Sequence, residues 1–281
     1  MTFKDWLFSN RKVDDSINGA WGTLHIVTLV SCVLLIVALA FLFRKKDEKS
    51  RRIVMFTIAT IIFIFEISRR VINFAKHDNI TFDDALYFLL PRPWCAISCW
   101  VMMASVIVNK KFFYNYASVT SLLCAIIFFA YPMAGFTNET LLYENTYSIV
   151  THVCLLVGSI TMITLRLTDF QYKGAWKELI CLAVTYVYAT IEIVAGIESD
   201  PLYFMPGNDA QDILGMNNAY WLYLILYIVF IAVYCSAFYF TQWTIEKRKS
   251  AAVEAVAQSV VKESVEEVAV TEKVEPNEAE E

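Results

Sequence analysis

The residue of this sequence best placed for chemistry is a cysteine at the start of an apolar segment. Cys95 ends the stretch Leu90-Pro91-Arg92-Pro93-Trp94-Cys95, in which two prolines fix the backbone where a helix is expected to begin. Free N–H groups and the positive dipole end at a helix N-terminus favour a thiolate, the nucleophilic form of cysteine. The alternative is that Cys95, one of seven cysteines, is a small buried apolar residue.

Further candidates are ionisable residues inside apolar segments, where such residues are costly and by default functional. Glu66 and Arg70 are four residues apart and can meet side by side on a helix. At about 1.5 Å per residue, Glu66 and Glu192 each lie about 20 Å from the inner edge of their segments. His152 lies five residues from the outer end of its own segment.

These positions converge on the outer third of a bilayer, because Cys95 and Ser98 also begin their segment from the outer side. The predicted polar pocket consists of Glu66, Arg69, Arg70, Ser98, Glu192 and Asp200. An alternative is that Glu66 and Arg70 only form a structural pair and that both arginines extend to the outer interface.

Composition places these residues in a membrane protein. The chain has 281 residues, of which 58% are hydrophobic and 18% are charged. Soluble domains are typically about half apolar and a quarter charged. Most of its apolar segments are close to the roughly 20 residues that span hydrocarbon. The seven segments are Leu24–Phe43, Ile53–Ala75, Trp94–Val108, Phe113–Tyr131, Tyr147–Leu165, Leu179–Ile197 and Tyr220–Thr241.

Because backbone groups in lipid must be paired internally, the predicted fold is all-α, a polytopic membrane bundle of seven transmembrane helices. Lys and Arg alternate between the loops, which predicts the N-terminus outside and the C-terminus inside. The predicted divisions are an extracytoplasmic segment over 1–23, a transmembrane domain over 24–243 and an acidic, mostly disordered cytoplasmic tail over 244–281. The loop after the first segment contains six basic residues, Arg44, Lys45, Lys46, Lys49, Arg51 and Arg52.

Several classes of function are not favoured. The cysteines are scattered singly and lack zinc-ligand spacing, so no metal site is predicted, and no cofactor is expected. No basic patch suits nucleic acid, and the sequence leaves the oligomeric state open. Membrane lipids are the expected partners of an integral, multi-pass protein, in the plasma membrane of a bacterium or an endomembrane of a eukaryote.

Three elements resemble a known family. They are Leu90-Pro91 with Cys95, His152 near the start of a later helix, and Asp200-Pro201-Leu202-Tyr203-Phe204 before the last segment. Over roughly residues 20–243 the chain is similar to the bacterial YwaF-like integral membrane proteins and their eukaryotic relative, transmembrane protein 164. It differs from the bacterial pattern, which often has a histidine two residues before the cysteine, because that position is Pro93 here.

The resemblance implies that a cysteine and a histidine face one pocket. The eukaryotic relative is regarded as a phospholipid acyltransferase that uses such a cysteine, which makes Cys95 the expected nucleophile and His152 the expected base. A lipid hydrolase is a close variant in which water replaces the second lipid. A small-solute transporter or receptor, and a non-catalytic structural membrane protein, remain alternatives.

Overall fold

The structure of this chain is a computed structural model. It describes residues 2–9, 21–76, 85, 88–92, 94–131, 135–136, 141–196, 200 and 202–272. All regular elements in these ranges are helical, and the described residues form no strand. The helices are α1 (Phe3–Phe8), α2 (Thr23–Phe43), α3 (Glu48–Ala75), α4 (Trp94–Val108), α5 (Lys111–Ala130), α6 (Tyr143–Thr164), α7 (Ala175–Val194), α8 (Asp209–Ile213) and α9 (Tyr220–Glu272), with a 3₁₀ turn at Tyr172–Gly174.

Each apolar segment of the sequence coincides with a helix, so the all-α prediction is confirmed. Within the described residues, four helical stretches are long and apolar enough to cross a membrane: Thr23–Phe43, Lys111–Ala130, Tyr143–Thr164 and Tyr220–Gln258. The apolar helix α4 is shorter, with 15 residues. The second half of α3 contains the charged residues Glu66, Arg69 and Arg70.

Four helices form the centre of the bundle. Both α3 and α5 pack against α4 and against α6, while α2 packs on α6 and α7 packs on α5. The side chains of Met55, Met102, Leu155 and Met162 are fully buried in this core. Contact is close at Gly158, where an added Cβ would lie 2.9 Å from the Met102 side chain.

Asn115 joins the N-terminal part of α5 to the connection between α6 and α7. Its amide nitrogen donates to the carboxylates of Asp169 at 2.9 Å and Glu178 at 2.7 Å. Its amide oxygen accepts from the backbone N–H of Asp169 at 3.0 Å. Because Asn115 is buried, this one side chain satisfies polar groups from two neighbouring segments.

Two basic side chains donate hydrogen bonds to the backbone at the C-terminal end of α6. Arg51 donates to the carbonyl of Leu165 at 2.7 Å, and Lys111 donates to the carbonyl of Arg166 at 2.9 Å. Arg166 has a φ of 59°, and the N–H of Leu167 bonds back to the carbonyl of Met162. This is the Schellman arrangement, in which one residue in the left-handed region ends the helix.

The turn before α8 is held by side chains. Asp200 accepts from the backbone N–H groups of Phe204 at 3.1 Å and Met205 at 2.8 Å. Tyrosine hydroxyls in the first turns of α9 donate to backbone carbonyls of the turn before α8. The hydroxyl of Tyr227, for example, donates to the carbonyl of Leu202 at 2.9 Å. Burial raises the pKa of the Asp200 carboxyl, and the backbone N–H groups partly offset this effect.

The chain divides into two compact units, residues 1–230 and 231–281, and the boundary falls within α9. Helix α9 continues to Glu272, past residue 244, where the sequence predicts that a mostly disordered tail begins; the disorder of that tail stays a prediction. Alanine and glutamate, which are frequent there, favour helix in the absence of glycine and proline. Residues 273–281 lie outside the described residues.

Candidate functional site

A buried ion pair lies in the second half of α3. The Oε1 atom of Glu66 accepts from Arg70 and, at 3.3 Å, from Arg69. The i,i+4 contact predicted between Glu66 and Arg70 is present. The Arg70 side chain is 6% exposed and that of Arg69 is 21% exposed, and both guanidinium groups bond to groups of the protein.

The same two arginines hold the backbone that leads to α4. Arg70 donates from Nη1 to the carbonyls of Phe88, at 2.9 Å, and Leu90. Arg69 donates from Nη2 to the carbonyl of Arg92 at 3.2 Å. Carbonyl oxygens accept strong, charge-assisted hydrogen bonds from guanidinium groups. The two cations of α3 therefore fix the path of the chain just before the candidate nucleophile.

A tyrosine of α7 holds this segment from another side. The hydroxyl of Tyr188 lies 2.8 Å from Oε1 of Glu192 and 3.4 Å from the carbonyl of Pro91. Glu192 is fully buried. The polar residue predicted on the sixth apolar segment thus acts on the same stretch of backbone as the arginines.

Cys95 lies in the first turn of α4, as the proline-rich stretch predicts, and its side chain is partly buried. The charges of Arg69 and Glu66 both reach the thiol. The Arg69 guanidinium also lies over the ring of Tyr147 from α6, 5.0 Å from its centre. The thiol is thus placed beside an ion pair and an aromatic ring contributed by α3 and α6.

Two further cysteines and a serine adjoin this site. The Ser98 hydroxyl is 3.3 Å from the thiol sulfur of Cys124 on α5, and both residues are buried. Cys99 donates from its thiol to the carbonyl of Cys95 at 3.1 Å. Of these cysteines only Cys95 is partly exposed.

His152 is buried on α6 in a different environment. Its Nδ1 atom is 2.7 Å from the carbonyl of Ser148, and its ring stacks on Phe128 of α5 with 3.8 Å between centroids. Within the described residues it forms no hydrogen bond with Cys95. The two regions are linked through α5, because Phe128 is one helical turn from Cys124.

Of the predicted polar pocket, Glu66, Arg69 and Arg70 contact one another, Glu192 contacts Tyr188, and Ser98 contacts Cys124; that these residues form one functional pocket stays a prediction. The hydrogen bonds of Asp200 given above lie within its own turn. The sequence reasoning missed Tyr147 and Tyr188, which contact Arg69 and Glu192. Tyr188 could have been found from its i,i+4 spacing to Glu192.

Among the residues described here, no group of three or more histidine, cysteine, aspartate or glutamate side chains could hold a metal ion. A model described as the TMEM164 family matches residues 20–250 of the chain. Neither a curated protein nor a solved structure matches it.

Proposed function

The chain belongs to the TMEM164 family, as the sequence resemblance predicted, and on that premise we propose that it transfers acyl groups between phospholipids with Cys95 as the nucleophile. The observation that carries this proposal is the position of Cys95. It lies in the first turn of α4, partly exposed, beside the Arg69 guanidinium. Helix N-termini and neighbouring cations favour the reactive thiolate, whereas burial and the nearby Glu66 carboxylate oppose it.

The reaction proceeds in two balanced steps. A base takes the proton of the Cys95 thiol, the thiolate attacks the ester carbonyl of a donor phospholipid and forms the thioester C–S bond, the ester C–O bond breaks, and the departing lysophospholipid oxygen takes up the proton from the base. The base then takes the proton of an acceptor hydroxyl, whose oxygen attacks the thioester; the C–S bond breaks, and the Cys95 sulfur takes up that proton. Dividing one difficult transfer into two steps is the advantage of a covalent intermediate.

The family resemblance assigns the base to His152. The contact between its Nδ1 and the Ser148 carbonyl requires a proton on Nδ1, because a carbonyl oxygen can only accept. The other ring nitrogen, Nε2, is then the one that can take up a proton. The proposal requires that Nε2 reach the thiol or the acceptor hydroxyl when lipid is bound.

Thioester formation tests the proposal. Purified protein is incubated with phospholipid radiolabelled in its acyl chain, and hydroxylamine-sensitive label on the protein is measured. Wild-type protein and Cys99→Ala, which alters a cysteine one turn along α4, are expected to carry the label. Cys95→Ala is expected to carry none. His152→Ala is expected to slow labelling by about 10²–10⁴-fold, the usual contribution of a general base.

The outcomes separate the alternatives. Label retained by Cys95→Ala would remove this cysteine from the chemistry. Label that is lost as free fatty acid even when an acceptor lipid is present would indicate a hydrolase. Transport of a small solute requires a path through the bundle, and the buried side chains of Met55, Met102 and Met162 occupy the region between α3, α4 and α6.

We extend the proposal to seven membrane spans formed by α2–α7 and α9, with the N-terminus outside. The alternation of basic loops supports this orientation. Cysteines introduced at the exposed positions Lys110 and Asn218 test it in intact cells, with the unsubstituted chain as the control for native cysteines. An impermeant maleimide is expected to label Asn218→Cys and to leave Lys110→Cys unlabelled. The reverse pattern would invert the orientation.

A further inference from the structure

The cluster beside the candidate nucleophile contains more positive than negative charge. The single carboxylate oxygen of Glu66 serves two guanidinium groups, those of Arg69 and Arg70. Among these three residues, two guanidinium groups therefore share one carboxylate, and the group carries one positive charge in excess.

That excess charge belongs to Arg69. Arg70 makes the closer contact with Glu66, whereas Arg69 is 3.3 Å from it and bonds otherwise to a backbone carbonyl. The Nε atoms of both arginines and the Oε2 atom of Glu66 are buried and lack a hydrogen-bond partner within the described part of the chain, so the looser contact with Glu66 is what distinguishes Arg69. Buried charges are costly unless they are paired, so an anion at this position would stabilise the site.

A ligand can reach this guanidinium. The Arg69 side chain is 21% exposed, more than that of Arg70 at 6% or Glu66 at 0%. It lies over the face of Tyr147 and close to the Cys95 thiol. Arg69 is therefore the cation of the pair that combines the greater exposure with proximity to the reacting sulfur.

We propose that Arg69 binds the phosphate group of the lipid substrate and thereby places an ester of the same lipid at Cys95. This inference rests on the proposed function for the identity of the ligand. The planar guanidinium group suits phosphate, because two parallel N–H groups can bond two phosphate oxygens. Phosphate and acyl esters share one glycerol unit in a phospholipid, so an anchored phosphate limits where the ester carbonyl can lie.

Arg69 would then determine specificity. A diacylglycerol presents the same esters but no anion, and it would leave the charge of Arg69 paired only with the shared oxygen of Glu66. The site should therefore prefer lipids that contain phosphate over neutral glycerides with identical acyl chains. Glu66 holds the guanidinium in place, and its single shared oxygen leaves the charge of Arg69 incompletely neutralised.

Binding to full-length Cys95→Ala protein in detergent tests this assignment without any need for turnover. The probes are a fluorescent phospholipid and a fluorescent diacylglycerol with the same acyl chains. Arg69→Gln is expected to weaken phospholipid binding by about tenfold or more, since charge-assisted hydrogen bonds are lost. Diacylglycerol binding should not change. Lys76→Gln removes a cation of the same helix that pairs with Glu144, and is the matched control expected to bind both probes normally.

Arg69→Lys keeps the charge but not the paired donors, so it should lose part of the phospholipid affinity, several-fold, while diacylglycerol binding is retained. If Arg69→Gln does not fold, the binding of the two probes to Arg69→Lys tests the proposal instead. Equal weakening of both probes would indicate a structural role, and unchanged phospholipid binding would show that phosphate is bound elsewhere. Inorganic phosphate that displaces the phospholipid at similar concentration would assign the site to a free anion. Each of these three results overturns the proposal.

The two proposals can fail separately. If Arg69→Gln loses the preference for phospholipid but wild-type protein forms no thioester, the phosphate site is supported and acyl transfer through Cys95 is not. If a thioester forms on Cys95 but Arg69→Gln binds phospholipid normally, the proposed acyl transfer stands and the proposed phosphate binding by Arg69 is wrong.

Discussion

The carboxylate of Glu66 bonds the guanidinium of Arg70 one turn further along α3, and both side chains are buried. The same guanidinium donates to the carbonyl of Leu90, five residues before Cys95. The ion pair is therefore a support for the start of α4 as well as a feature of α3. Its strength can be measured without any knowledge of the reaction.

We expect Glu66→Ala and Arg70→Ala each to destabilise the protein by about 3–5 kcal/mol, because each leaves an uncompensated buried charge. The double variant should lose less stability than the sum of the two single variants. Thermal or denaturant unfolding in detergent provides the four free energies of the cycle. Strictly additive effects would show that the two side chains do not interact.

The ion pair between Lys76 and Glu144 is the matched control for this cycle. It joins the end of α3 to α6 at 3.0 Å, with side chains that are 12% and 31% exposed. Ion pairs that water can reach contribute about 0–1 kcal/mol, so the corresponding cycle should show little coupling.

Asn115→Ala should destabilise the junction between α5, α6 and α7. The variant removes the donor to Asp169 and Glu178 and leaves two carboxylates without it, at a cost of about 2 kcal/mol or more. Unfolding in detergent measures this loss. Asn217→Ala, which removes an exposed 2.6 Å bond to Asp212, is the control expected to change stability by less than about 1 kcal/mol. Equal effects of the two variants would contradict the structural role of Asn115.

Gly135→Ala should disturb His152 through Phe128. A Cβ at this position would overlap the Phe128 Cζ atom, and the ring of Phe128 stacks on His152. The ring must move, so we expect a loss of about 1–3 kcal/mol of stability and slower formation of the thioester. Gly174→Ala is the control, because a Cβ there would meet nothing within 4 Å. A Gly135→Ala protein with normal stability and labelling would show that Phe128 moves freely.

Asp200 should make stability depend on pH in a defined direction. Its pKa is raised from the ordinary 3.8 by burial, so its stabilising contribution is complete below that value and is lost as the pH rises through the folded-state pKa. The unfolding temperature of wild-type protein relative to Asp200→Asn should therefore increase as the solution is acidified. A constant difference across this range would contradict the assignment.

Asp47 provides the opposite control. The hydroxyl and backbone N–H of Ser50 hold the pKa of the Asp47 carboxyl below its ordinary value. Its contribution is therefore present above that value and is lost as the pH falls. The unfolding temperature of wild-type protein relative to Asp47→Asn should decrease on acidification.

The positions of the helices could be predicted from hydropathy alone. The apolar run Trp94–Val108 coincides with α4 at both ends, because a proline-rich stretch precedes it and a polar turn follows it. The second apolar run begins at Ile53, whereas α3 begins at Glu48. The difference arises because Asp47 caps the helix through Ser50, a signal of polar side chains that hydropathy does not register.

The candidate site was predictable only where helical spacing determines contact. Spacing places Glu66 beside Arg70, and the contact is present. The bonds from these arginines to backbone carbonyls depend on the path of an irregular segment, which has no periodicity. Counting along α6 gives the depth of His152 but not the direction in which it faces, and Tyr147 of the same helix is the residue that lies against Arg69.

The hydrogen bonds of Arg51 and Lys111 to the C-terminal end of α6 have a consequence for biogenesis. Positive charge near the ends of the spans helps to retain a loop on the inner side during insertion. In the folded chain, the same two side chains bond the carbonyls of Leu165 and Arg166. Neutralising them would therefore alter the insertion signal and a tertiary contact together, whereas Lys45 and Lys46 are exposed and can be neutralised to change the signal alone. On the proposed topology, Arg51 and Lys111 thus serve both membrane insertion and helix packing, and variants of the exposed Lys45 and Lys46 separate the two stages.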